Sequence, residues 1–208
     1  AARVIARKLI RFFAFDEPGA PDALVEPLAA DLRAGGFEIG PIVRKLLGSN
    51  LFFSEHSLGR KVRSPVELCV GLLRSLGATT NFNKAAQGLS ELGQALFFPP
   101  NVKGWDGGRA WINSSTLLGR ANFVRRLLTA GETEFRGGGV ASGLAASRPD
   151  DPKALVDAAI DLLVAVSVPN EARQGLVELA ARGANGDRER SAREVVHAIS
   201  VLPEFQLS

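Results

Sequence analysis

The chain has 208 residues, of which 46% are hydrophobic and 23% are charged, a balance that is typical of a globular protein with a sizeable core. Its formal net charge of +3 comes from scattered arginines, so the sequence disfavours nucleic acid as a partner. The chain has a single cysteine, Cys69, so it cannot form an internal disulfide. Because it has only two histidines and no cysteine cluster, we expect no metal, and we also expect no cofactor. No run approaches the roughly 20 apolar residues of a membrane-spanning helix.

Apolar residues recur at intervals of three and four along nearly the whole chain, which is the spacing of one face of an α-helix. No segment has the sustained alternation that is typical of a strand. We therefore predict an all-α fold, an irregular helical bundle of about eight to ten helices with one long ordered loop rich in Trp, Gly and Pro. The predicted helices cover, in chain order, about residues 1–15, 21–34, 39–47, 65–76, 83–92, 114–128, 152–166, 169–182 and 187–202.

The clearest local signal is the run Ser64-Pro-Val-Glu67. Serine is a preferred N-cap, proline is favoured at the first helical position, and a glutamate three residues after the cap completes a capping box. The run therefore predicts a helix that begins at Pro65. A second helix start follows the Trp-rich segment, where either Asn113 or Ser114 can serve as the cap.

A glycine- and alanine-rich stretch interrupts the helical pattern after about Arg136. Such a stretch has few side chains to bury and high backbone entropy, so we predict that it is mobile. On this basis we predict a main helical domain over 1–135 that includes the Trp-rich loop, a flexible linker over 136–152, and a C-terminal three-helix segment over 153–208 that packs on the main domain.

The most informative stretch runs from Phe98 to Thr116 and contains both tryptophans of the chain, together with two prolines and three glycines. Glycine and proline provide special backbone geometry, and the large rings of Trp105 and Trp111 need an apolar wall and a partner for the indole N–H. This mixture predicts an ordered irregular loop, and such loops commonly carry binding residues.

Two interpretations of the Trp-rich loop remain open. In the first, the loop binds a carboxylate, sulfate or phosphate through its cations, its amides and the free N–H groups at the start of the next helix, with the indole rings as a stacking wall. In the second, the same residues route the chain through a tight corner, and the guanidinium of Arg109 is held by loop carbonyls. The candidate ligand-binding residues are Asn101, Lys103, Trp105, Arg109, Trp111, Asn113 and Ser114.

Catalysis would need more than this loop supplies. Ser114 or Ser115 as a nucleophile requires a base, and the two histidines, His56 and His197, are distant in sequence. Cys69 lies on an apolar helix face, which is typical of a buried structural thiol. We therefore assign no catalytic residue.

The run from Phe97 to Phe123, which includes the Trp-rich segment, resembles the hallmark of a bacterial family known as domain of unknown function 1800. Further matching pieces occur in the same order at 6–13, 61–67, 73–77 and 202–206, so the resemblance spans almost the whole chain. Members of that family are typically longer than this chain, which implies that the chain corresponds to their C-terminal half.

The resemblance implies an exported bacterial protein, located in the periplasm or outside the cell. It also implies two partners, a phosphatase- or sulfatase-like protein encoded nearby and the N-terminal half of the same protein. Because the family brings no known activity, we predict a non-catalytic binding or accessory component of an exported bacterial system. The alternative is a hydrolase that acts on a polar or anionic substrate, with its site around the Trp-rich loop.

Overall fold

The structure is a computed structural model that describes residues 1–16, 19–144, 151–183 and 187–208. Within these ranges the chain forms ten α-helices, and the predicted all-α fold class is confirmed. The helices are α1 (Ala2–Phe13), α2 (Asp22–Ala34), α3 (Ile39–Leu47), α4 (Pro65–Ser75), α5 (Phe82–Glu91), α6 (Ser114–Thr129), α7 (Val140–Gly143), α8 (Pro152–Leu163), α9 (Asn170–Gly183) and α10 (Arg188–Ser200).

Two strands of two residues each, β1 (Ala78–Thr79) and β2 (Glu134–Phe135), form an antiparallel pair. The sequence does not predict them because two residues are too few to display the alternation of a strand. Three short 3₁₀ turns, at Gly108–Trp111, Arg136–Gly138 and Pro203–Gln206, complete the described elements.

The described chain divides into two compact units, each with its own apolar core. The first unit contains residues 1–62 and 207–208. In this unit α1 and α2 pack along each other and α3 contacts both, and the small buried residues Ala2 and Ala6 on α1 allow a close approach. The buried apolar side chains of this core are Ala2, Ala6, Ile10, Ala14, Phe15, Val25, Leu28, Ala29, Leu32, Ile42 and Leu46.

The second unit, residues 63–206, contains helices α4 to α10. Helix α10 contacts α6, α7, α8 and α9, so it is the element around which this unit packs. Its inward face carries apolar residues at helical spacing, as the sequence predicts. The buried side chains of this core include Leu68, Leu72, Leu76, Phe123, Val124, Leu128, Val195, Val196, Ile199 and Phe205.

One charged side chain in the second unit, Arg120 of α6, is almost completely buried, with 1% of its surface exposed. It donates hydrogen bonds to the carbonyl oxygen of Arg63 (2.7 Å) and to Oε1 of Gln206 (2.9 Å), while its Nε has no hydrogen-bond partner among the described residues. Burial lowers the pKa of Arg120 to about 10, and the carboxylate of Glu67 opposes this shift. The guanidinium thus fixes α6 to the first and last residues of the unit.

The glycine-rich segment predicted as a linker is described only in part, because residues 145–150 lie outside the described ranges. The described part forms the 3₁₀ turn Arg136–Gly138 and the short helix α7, in which Val140 is fully buried. Helices before and after this segment share one core, and the chain passes from one compact unit to the other between Val62 and Arg63. The mobility of the segment stays a prediction.

Candidate functional site

The Trp-rich loop lies between α5 and α6 in the second unit, and its first residues are fixed to α4. The side-chain oxygen of Gln94 accepts a hydrogen bond of 2.9 Å from the backbone N–H of Val66, in the first turn of α4. That turn begins with the predicted capping box, in which Ser64 and Glu67 satisfy each other's backbone N–H groups. A helix start that is visible in the sequence therefore anchors the beginning of the loop.

The middle of the loop is shaped by its own polar groups. The side-chain oxygen of Asn101 accepts a hydrogen bond from the backbone N–H of Lys103 at 2.8 Å, and its carbonyl oxygen accepts one from Gly104 at 3.0 Å. Gly104 and Gly107 have φ angles of 89° and 75°, a region that residues with a side chain disfavour. The amide of Asn101 therefore stabilises a turn.

The end of the loop packs inward. The 3₁₀ turn Gly108–Trp111 buries the indole of Trp111, and the hydroxyl of Thr116 donates to the carbonyl oxygen of Trp111 at 3.0 Å. Of the two possible caps, Asn113 is the N-cap of α6, since its side-chain oxygen accepts from the N–H of Thr116 at 2.9 Å. The Thr116 hydroxyl accepts in turn from the N–H of Asn113 at 2.8 Å. The start of α6 therefore satisfies part of its own N–H groups.

The other candidate residues lie at or near the surface of the loop. Lys103 and Arg109 are exposed, and Nζ of Lys103 lies 3.7 Å from Oδ1 of Asp106. Trp105 is half-buried, and Ser114 is exposed at the first position of α6. The seven candidates thus divide into a group that builds the loop and a group at its surface.

The most exposed apolar residues of this region are not among the candidates that the sequence predicts. Phe97 and Phe98 have 91% and 78% of their surface exposed, Val102 is fully exposed, and the two prolines between them are exposed as well. Phe97 also has a φ angle of 65°, a left-handed conformation that is rare for an aromatic residue. The available signal is the order Phe-Phe-Pro-Pro: the prolines exclude a helix or a central strand, so the phenylalanines have no regular face to bury.

Within the second unit, His197 does not lie beside Ser114 of the loop. His197 contacts α6 at Ala121 and Arg125, which are roughly 10–17 Å along the helix from Ser114. His56 is exposed in the first unit. Ser114 and His197 therefore do not form a nucleophile–base pair.

Cys69 is a structural thiol. Its side chain is buried in the core of the second unit, and this burial raises the pKa of the thiol to about 11. A thiol with a raised pKa carries little thiolate near neutral pH, so it is a poor nucleophile.

These features define an all-α protein whose most distinctive surface is an ordered loop with exposed aromatic rings. The chain belongs to the DUF1800 family, described as proteins of unknown function, whose family model matches residues 1–207. No curated protein and no solved structure matches the chain. The family membership confirms the resemblance found in the sequence and brings no activity with it.

Two further findings concern only the described ranges of the chain. No helix there is long and apolar enough to cross a membrane. The same ranges contain no group of three His, Cys, Asp or Glu side chains that could hold a metal ion.

Proposed function

We propose that this protein is a non-catalytic binding or accessory component of an exported bacterial system, and that it docks a partner protein through residues 97–102, named the aromatic loop. The observation that carries this proposal is the exposure of three large apolar side chains within six residues of an ordered segment. Exposed apolar clusters of this kind commonly mark interaction surfaces.

The backbone at Phe97 supports the same proposal. A left-handed conformation costs a residue with a side chain roughly 1–2 kcal/mol, and such strain persists where the surrounding structure or a function imposes it. The exposed ring recovers none of this energy through burial. Burial of Phe97 and Phe98 against a partner would recover roughly 1.5–3 kcal/mol for each ring.

The polar groups in and after the aromatic loop favour a scaffold over a catalytic site. The amides of Asn101 and Asn113 are engaged in the turn and in the helix cap. A hydrolase would need a general base beside Ser114. His197 binds α6 at Ala121 instead, about two turns further along that helix. The hydrolase therefore remains the second candidate.

The partner that we propose presents an apolar pocket with acidic residues at its edge. The segment that directly follows the exposed rings in sequence contains Lys103, Asp106 and Arg109, that is, two positive charges and one negative charge. A positive edge attracts an acidic partner and fixes its orientation. The family resemblance suggests a phosphatase- or sulfatase-like protein, encoded nearby and acting in the periplasm or outside the cell, for this role.

Calorimetric titration of the full chain with that purified phosphatase- or sulfatase-like protein tests the proposal. We expect the double variant Phe97→Gly/Phe98→Ser to lose at least about tenfold in affinity, because both rings are removed while glycine accepts the left-handed backbone. The matched control is Phe53→Ser in the first unit, whose ring is 68% exposed. The control variant should bind as the wild type does.

Several outcomes would contradict the docking proposal. They are an absence of binding by the wild type, equal affinity of the wild type and the loop variant, and equal loss in the loop variant and in Phe53→Ser. Binding to anionic lipid vesicles that depends on Phe97, without binding to the protein partner, would make a membrane surface the target instead. Hydrolysis that Ser114→Ala abolishes would favour the hydrolase.

A further inference from the structure

A cavity of about 680 Å³ lies between α6, α9 and α10 in the second unit. Its volume falls within the range of small-molecule sites in proteins. We call its apolar lining residues, Leu128, Leu179 and Ala198, the floor. We call its charged and polar lining, which includes Arg125, His197 and further charged residues at or near the start of α10, the rim. This combination of an apolar floor and a few polar groups is typical of ligand pockets.

The hydrogen bonds of His197 define which of its ring nitrogens carries the proton. Nε2 lies 3.1 Å from the carbonyl oxygen of Ala121, and because a carbonyl only accepts, Nε2 is the donor. In the neutral ring Nδ1 is then an acceptor, and it lies 3.5 Å from Nη2 of Arg125. His197 therefore positions the guanidinium of Arg125 at the rim of the cavity.

The other two arginines at the rim are already neutralised by carboxylates. Arg190 lies 3.0 Å from Glu194, and Arg193 lies 2.8 Å from Glu189. Glu189 also accepts hydrogen bonds from two backbone N–H groups at the start of α7. In contrast, Arg125 forms no ion pair within the described part of the chain.

The third carboxylate at the rim, Asp187, has a structural partner. Its Oδ1 accepts a hydrogen bond of 2.9 Å from the backbone N–H of Arg190, so it is the N-cap of α10. Among the described residues, Arg125 is thus the cation that this cavity offers to a ligand, and it lines the same cavity as the apolar side chains.

We propose that this cavity binds a small organic carboxylate with an apolar body. The carboxylate pairs with the guanidinium of Arg125, whose planar fork matches the two carboxylate oxygens. The apolar body covers Leu128, Leu179 and Ala198. This site is independent of the aromatic loop, since it uses the other end of α6 and needs no partner protein.

Phenylacetate is a suitable probe, and phenylacetamide is its neutral counterpart of the same shape. We expect calorimetric titration of the full chain to detect binding of phenylacetate and at least tenfold weaker binding of phenylacetamide. Arg125→Gln should reduce the phenylacetate affinity at least tenfold. Arg74→Gln, which removes an exposed arginine from the end of α4, is the control with the same charge change and should leave the affinity unchanged.

A second variant tests the apolar floor. Ala198→Leu adds bulk to the floor without changing charge, so it should also reduce the affinity for phenylacetate. Inorganic phosphate, which has no apolar body, should bind the wild type weakly or not at all. The proposal fails if the wild type binds no phenylacetate at 10 mM or if Arg125→Gln binds as the wild type does. It also fails if phenylacetamide or phosphate binds as tightly as phenylacetate. A melting curve of each variant verifies that it is folded.

Discussion

The aromatic loop precedes helix α6 in the chain, whereas the α6–α9–α10 cavity is lined by the last turns of that helix, and the two are built in opposite ways. The loop precedes Ser114, and the polar side chains around it bind backbone groups while its apolar rings face solvent. The cavity lies beside Arg125 and Thr129, and there the apolar side chains form the floor while the charged groups form the rim.

This contrast separates two kinds of binding surface by physical chemistry. A protruding apolar loop gains free energy only when a large partner removes it from water. A concave pocket with a cation at its rim gains free energy from a small anion that pairs with this cation. One compact unit can therefore carry both a docking surface and a ligand pocket.

The largest effect is expected at Arg120, which lies between the two sites on α6. Arg120→Met should reduce the free energy of unfolding by roughly 2–4 kcal/mol, because it leaves the buried acceptors of Arg63 and Gln206 without a donor. Arg125→Met on the exposed face of the same helix should change it by less than about 0.5 kcal/mol. Urea denaturation of the full chain, followed by tryptophan fluorescence, measures both values because both tryptophans lie in the second unit. Equal effects of the two variants would contradict the inference that Arg120 fixes α6 through its buried hydrogen bonds.

A smaller effect is expected where α5 and α6, the helices that flank the loop, touch. A Cβ at Gly88 of α5 would lie 2.2 Å from Cε2 of Phe123, whereas a Cβ at Gly71 of α4 would meet nothing within 4 Å. Gly88→Ala should therefore cost roughly 1–3 kcal/mol through overpacking. Gly71→Ala, the control, should instead gain up to about 1 kcal/mol from its helix propensity.

The same denaturation experiment compares the stability of these two variants. Calorimetric titration then measures their affinity for the protein partner and for phenylacetate. Gly88→Ala should weaken docking through the aromatic loop and leave phenylacetate binding in the cavity intact. If Gly88→Ala leaves the free energy of unfolding unchanged, α5 and α6 separate at little cost. The loop would then lack the rigid support that we infer for it.

The sequence predicts those parts of the molecule that depend on neighbouring residues. The all-α class follows from helical spacing, and the helix start at Pro65 follows from four consecutive residues, Ser64 to Glu67. The choice between Asn113 and Ser114 stays open in the sequence because both are good caps. Only the backbone geometry, with Thr116 as the reciprocal partner, decides it.

Features that depend on distant contacts have no such signal. The carboxylate of Glu189 orders the start of α7 by accepting hydrogen bonds from Val140 and Ala141, 49 and 48 residues earlier in the chain. His197 and Arg125 meet across 72 residues, so no local spacing indicates the cavity. The glycine-rich composition before α7 therefore indicates high backbone entropy, but it does not predict the contacts that bury Val140.

The smallest expected effect concerns pH and the cavity alone. Burial, followed by the nearby charge of Arg125, lowers the pKa of His197 below its ordinary value of 6.5, although the hydrogen bond to Ala121 opposes this shift. As the pH falls, the unfolded chain therefore takes up this proton before the folded protein does. The contribution of His197 to stability is complete above pH 6.5 and is lost as the pH falls from 6.5 through the pKa of the folded state.

His197→Gln isolates this effect, because glutamine keeps an N–H donor for the carbonyl oxygen of Ala121 and does not titrate. Urea denaturation at pH 7.5 and at pH 5 should show a larger loss of unfolding free energy for the wild type than for the variant. The difference should be less than about 1 kcal/mol, because the ring is partly exposed to solvent. If the wild type and His197→Gln lose stability equally, the imidazole carries its proton as easily in the folded protein as in the unfolded chain. Arg125 would then not be held against a neutral ring, and the positioning of its guanidinium at the cavity rim would need another cause.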